Sequence, residues 1–139
     1  MLINKYWSLY LGSVIGAVLV LYLSWQPQPQ MMAHWFIPRW LAVWADESRN
    51  DTIRTAVPLV VLGCLTGGWL AGQGQPWRQW LWAWFGLSGL VVVAEIGQLF
   101  IASRSFDLKD IGWGIAGALV GLGTMAGMKA LAVVLKWSS

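Results

Sequence analysis

Long apolar blocks alternate with short polar breaks along the chain, and the blocks have the length of helices rather than strands. The first covers about 6–25, with the centre LYLGSVIGAVLVLYLSW. About 20 residues at a 1.5 Å rise cross ~30 Å of hydrocarbon. The run Gln26-Pro27-Gln28-Pro29-Gln30 then stops it, because proline cannot continue a helix. A second block covers about 53–71, with Arg54 at its mouth and Pro58 in its first turns. A third covers about 80–101 after the loop GQGQPWRQ. A fourth covers about 111–135 after SRSFDLKD and is closed by Lys136. This pattern predicts an all-α membrane protein. Its fold would be a single four-transmembrane-helix bundle over 1–139, with both termini on one side.

The stretch MMAHWFIPRWLAVWADESRND between the first two blocks is different. Trp35, Phe36, Trp40 and Trp44 recur at roughly helical spacing among His34, Arg39 and Pro38. It is too polar and too broken to span. Two readings stand: an amphipathic segment lying in the interface, or an irregular loop with Trp anchors. Lys5 ahead of the first block raises the question of a cleaved leader. The block is longer than a leader's apolar core and lacks a small-residue cleavage site, so it reads as a retained helix.

Composition supports the membrane class. The chain is 58% apolar and only 11% charged, whereas a soluble domain carries about a quarter charged residues. Its 12 Trp suit the membrane–water interface. The nine basic residues are scattered with no basic run, which argues against nucleic-acid binding. Cys64 is the single cysteine, so one chain can form no disulfide. Lys5, Arg78, Lys129 and Lys136 fall on the side of the termini without acids, which favours termini in the cytoplasm.

Candidate chemistry gathers around the third break. Glu95 is the one acid inside a span. It precedes the end of its block by six residues, about 9 Å below the interface at 1.5 Å per residue. An acid at that depth must be neutral, paired or facing a wet cavity. Gln98 shares its helix face. Arg104 can reach back to Glu95, reach out to a phosphate, or snorkel as an anchor. Asp107 and Asp110 open the last helix at the spacing of a capping box, which explains both without a ligand, although a direct ligand role is the alternative. Gly114, Gly117 and Gly121 share a face with Asp110, and Gly123 and Gly127 form a second pair. Close helix packing is the first reading of that face and a groove for a lipid tail the second.

The run Glu95-x-x-Gln98-x-Phe100-x-x-x-Arg104-x-x-Asp107-x-x-Asp110-Ile111, followed by Gly117, resembles the signature of VanZ-like membrane proteins. Pro58-Leu59 resembles the family's Phe-x-Pro-Leu-Gly element, with Ala56 and Val60 at its Phe and Gly positions. Gly114 stands where the signature has Asn. The family is named for a protein associated with low-level teicoplanin resistance in Gram-positive bacteria, and no agreed reaction attaches to it. The resemblance implies a cell-envelope protein of the bacterial cytoplasmic (inner) membrane.

Two functions follow as expectations. The first is binding or translocation of an anionic envelope lipid of polyprenyl-phosphate type, through ligand-binding residues Glu95, Gln98, Arg104, Asp107 and Asp110. The second is an accessory or structural subunit of a larger membrane complex, with membrane lipids and other subunits as partners. Catalysis is the weakest reading: His34 lies away from the cluster, and no nucleophile motif or phosphate loop is present. No metal site or cofactor is indicated.

Overall fold

The computed structural model describes residues 5–27, 30–47 and 53–138. Gln28 and Pro29 of the first break, and Arg49 and Asp51 of the interfacial segment, lie outside the described residues. Every regular element among the described residues is helical: α1 (Trp7–Ser24), a 3-10 turn (Met31–Ala33), α2 (Arg39–Asp46), α3 (Ala56–Gly72), α4 (Trp77–Gln98) and α5 (Leu108–Trp137). Three of these, α1, α4 and α5, are long and apolar enough to cross a membrane. α3 is apolar but has 17 residues, about 26 Å at 1.5 Å each.

Local chemistry sets the helix ends. α3 begins at Ala56 rather than 53 because 53–55 form a turn. It closes with Gly74 at φ +64, while Gln75 N–H donates to Leu70 O and Gly74 N–H to Ala71 O. That is a Schellman close, which requires the left-handed conformation glycine supplies. α4 begins at Trp77, directly after Pro76, and takes in Arg78 and Gln79. Those residues are polar yet good helix formers, so hydropathy alone places the start too late.

The other end of α4 is also corrected. The apolar run continues to Ile101, but the helix stops at Gln98. Leu99, Phe100 and Ile101 donate to carbonyls three residues back, as tightening turns do. Glu95 therefore sits in the last turn of α4, three residues from its end rather than six.

The helices form an up-and-down bundle. Gly12 and Gly16 of α1 face Leu65 and Leu62, and Tyr6 faces Gly72, so α1 and α3 are antiparallel. Gly117 packs on Ala56, Gly121 on Val60 and Gly63, and Gly67 on Met125, so α3 and α5 are parallel. Gly114 meets Val91, and the Lys129 ammonium lies over the Trp80 ring, so α4 opposes α5. Leu59, Leu62, Val91 and Ala118 form the central core. The outer face is apolar, with Ile15, Val18, Leu119, Val120 and Leu131 exposed. That is the arrangement expected where acyl chains, not water, solvate the exterior.

The segment after α1 is part helix, part turn. Pro38 precedes α2, and only Ala42 and Ala45 of α2 are buried. Asp46 at the end of α2 accepts from the N–H groups of Met31 (2.6 Å) and Met32 (2.9 Å), tying the helix to the 3-10 turn. Trp35 and Trp40 are exposed on this segment.

Candidate functional site

The ends of α1 and α4 and the beginnings of α3 and α5 meet at one end of the bundle. They are sewn together there by polar contacts. The Trp25 indole, at the end of α1, donates to Ala94 O (3.1 Å) and lies where any side chain at Gly97 would be. Ser103 Oγ donates to Pro27 O (2.6 Å), fastening the α4–α5 loop to the end of α1.

Glu95 is buried, 3% exposed, and Gln98 is 5% exposed. Gln98 Nε2 donates to Glu95 Oε1 (3.4 Å), and the Asp107 backbone N–H donates to Glu95 Oε2 (3.2 Å). The carboxylate thus bridges the last turn of α4 to the residue that starts α5. Asp107 itself caps α5, its Oδ1 accepting from Lys109 N–H (2.8 Å). Asp110 behaves differently. Its carboxylate is hydrogen-bonded by the Thr55 side chain and faces a cavity. Identical chemistry at a spacing of three has been split, one acid to the helix end and one to the interior.

That cavity has a volume of about 450 Å³. Its polar end is formed by Arg54, Thr55, Glu95, Gln98, Arg104 and Asp110, with Ser24 nearby. Its walls are apolar: Gly16, Leu19, Val20 and Leu23 of α1, Pro58, Leu59, Leu62 and Leu65 of α3, and Val91 and Ala94 of α4. Met31 and Leu41, from the segment after α1, also line it. The groove lies between α1, α3 and α4. It does not follow the glycine face of α5, because Gly114, Gly117 and Gly121 are consumed in packing against α4 and α3. The polar end still joins α4, the α4–α5 loop and α5, while the apolar walls come from α1, α3 and α4 rather than from the glycine face of α5.

Arg104 is half-buried in the loop, and burial pushes its guanidinium below the usual arginine range. The like charge of Arg54 acts in the same direction, while Glu95 and Asp110 oppose it. Arginine stays charged throughout the accessible pH range. The cavity end thus carries two guanidiniums and two carboxylates. Arg54 donates to Ala45 O (3.4 Å), linking the end of α2 to this cluster.

Four of the five expected site residues therefore line one cavity, and Asp107 supports them from the helix end. Arg54 and Thr55 complete the set; in the sequence Arg54 stands out only as the mouth of an apolar block, and Thr55 carries no signal of its own. Among the described residues, no group of three or more His, Cys, Asp or Glu side chains is placed to hold a metal ion. Compared with family models, curated proteins and solved structures, the chain matches none of them.

Proposed function

We propose that this chain is a four-span membrane protein that binds, or helps translocate, an anionic envelope lipid of polyprenyl-phosphate type. The observation that carries the reading is a single cavity joining the Arg104 guanidinium to apolar walls on three helices. Phosphate meets Arg104, Glu95 and Gln98 set the geometry of the polar end, and the chain lies along α1 and α3. Several hundred cubic ångströms is the usual size of a small-molecule site, enough for the phosphate and the first part of the chain. α3 serves as the fourth span, since about 17 apolar residues are the lower limit for crossing. The α2 segment lies in the interface, with Trp35 and Trp40 as anchors.

The convergence of Glu95, Gln98, Arg104 and Asp110 supports VanZ-like membership, because residues spread over a linear signature then have one common purpose. Membership goes with a bacterial inner membrane, and the basic residues on the side of the termini favour cytoplasmic termini, which puts the polar end of the cavity at the outer face. Titrating the delipidated protein with a polyprenyl phosphate, followed by native mass spectrometry, tests the ligand. Arg104→Ala is expected to weaken binding by about tenfold or more, the worth of a charge-assisted hydrogen bond. Equal occupancy in both proteins would overturn the reading.

The far half of α5 favours a second function, that of an accessory subunit. Gly123 and Gly127 have nothing within 4 Å, and 130–138 are exposed. A neighbouring helix could approach closely there. A monomer extracted without partners in gentle detergent would count against it.

A further inference from the structure

The charges at the polar end of the cavity balance. Among the described residues that line it, Arg54 and Arg104 are matched by Glu95 and Asp110. An arriving lipid phosphate brings at least one more negative charge. In a half-buried site the dielectric is well below that of water, so its repulsion from two carboxylates is strong. One carboxylate must give way to it. Glu95 is poorly suited: both its oxygens accept hydrogen bonds, and a proton on either would disturb a contact that joins α4 to α5. Asp110 holds no such joint. It is half-buried, takes a hydrogen bond from the Thr55 side chain and faces both Arg54 and Arg104. The acids that face it are Glu95 from α4 and Asp107 from its own helix. Among the described residues, α1 and the segment after it bring no titratable side chain to the cavity wall.

We infer that Asp110 is the resident counter-ion of Arg104, and that a lipid phosphate takes its place as Asp110 accepts a proton, so that lipid binding and proton uptake are coupled. This rests on the lipid-phosphate reading above. A carboxylate beside a guanidinium competes with a phosphate for it, since both are matched to the same planar fork. A proton drawn from solvent onto Asp110 cancels the carboxylate charge and releases Arg104. It also turns the carboxyl into a hydrogen-bond donor for a phosphate oxygen. The Thr55 hydroxyl both donates and accepts, so it serves either form of Asp110. Arg54 keeps its link to Ala45 O throughout and needs no contact with the phosphate. When the lipid leaves, the proton returns to solvent and the Asp110 carboxylate again balances Arg104. The sign follows: acid favours the lipid-bound state, and one proton per lipid changes affinity by up to about tenfold per pH unit.

Farnesyl phosphate is the probe, because it contains no carbonyl group and leaves the carboxyl region of the infrared spectrum to the protein. It is added to full-length delipidated protein in a carbonyl-free detergent. At about pH 7, binding to wild type is expected to convert a carboxylate band into a carboxylic-acid band, and Asp110→Asn should lack the change. The band is read in wild type, so a folding defect in the variant cannot hide it. Calorimetry supplies the affinities. Asp110→Asn should bind about tenfold more tightly than wild type at about pH 8, and the gap should close as the pH falls to about 5. The lipid's own second ionisation is common to both proteins and cancels in that comparison. No new band in wild type, or a gap that does not change with pH, overturns the coupling and leaves the lipid reading standing. A band that persists in Asp110→Asn overturns Asp110 as the proton acceptor. Inorganic phosphate binding as tightly as farnesyl phosphate overturns the lipid source. Farnesyl phosphate binding that is unchanged in Arg104→Ala overturns both readings.

Discussion

Glu95 shows how one side chain can serve structure and site together. Its two oxygens accept from Gln98 and from the Asp107 N–H, so removing the acceptor strands a backbone donor at a part-buried joint. Glu95→Leu is therefore expected to cost about 1–3 kcal/mol of stability. Glu95→Gln retains an acceptor of the same length and should cost much less. Both variants should change lipid affinity, because Glu95 lines the polar end of the cavity. Thermal unfolding and lipid titration on the two variants in one detergent check this. Equal destabilisation by both would mean that the Asp107 contact carries no weight. The same logic separates the two aspartates. Asp107→Ala should lose about 1 kcal/mol as a missing cap, and Asp107→Asn little. Asp110→Asn should leave stability near wild type and change ligand affinity, because its carboxylate faces the cavity.

Helix pairing depends on where the glycines of α5 fall. Gly63 and Gly121 bring α3 and α5 into backbone contact: a Cβ on Gly63 would lie 2.8 Å from Ala118 O and 2.9 Å from Leu122 N. Neither partner is a flexible side chain, so the backbones themselves must part. Gly121→Ala is expected to destabilise by about 1–3 kcal/mol, as overpacking does. Gly123→Ala, on the open face, should be neutral or slightly stabilising, because alanine is the better helix former by about 1 kcal/mol. Melting temperatures of the pair measure the difference directly. A similar drop in both would show that α5 packs by another face. Close α3–α5 packing also explains the position of the groove. α1 has no buried residue, and a loosely packed α1 leaves space along α3 and α4.

The bundle puts its described ends, Lys5 and Ser138, at one end and the polar cluster at the other. In a four-span protein those ends face opposite compartments. Single cysteines at Ser103 and Ser138, in a Cys64→Ala background, should therefore react with a membrane-impermeant maleimide from opposite sides of intact cells. Labelling of both from the same side would remove α5 as a span and the topology with it. Residue Cys64 lies against the Gly121 carbonyl between α3 and α5, so its replacement by a small side chain suits the background.

Much of this molecule could be read along the chain, because the relevant physics is local. Apolar blocks longer than 17 residues, prolines after them and the Asp107 cap announce helices and their limits from near neighbours. The burial of Glu95 and Gln98 was equally legible, since two polar groups on an apolar helix must turn inward. The limits that failed, at Trp77 and Gln98, are places where hydropathy and backbone hydrogen bonding diverge. Which faces meet was not readable. Packing of Gly117 and Gly121 onto α3, the separation of Asp110 from Asp107, and the meeting of Arg54 with Arg104 all join residues remote in sequence. Their distances depend on the mutual rotation and register of helices, and those are set by the fit of many side chains at once.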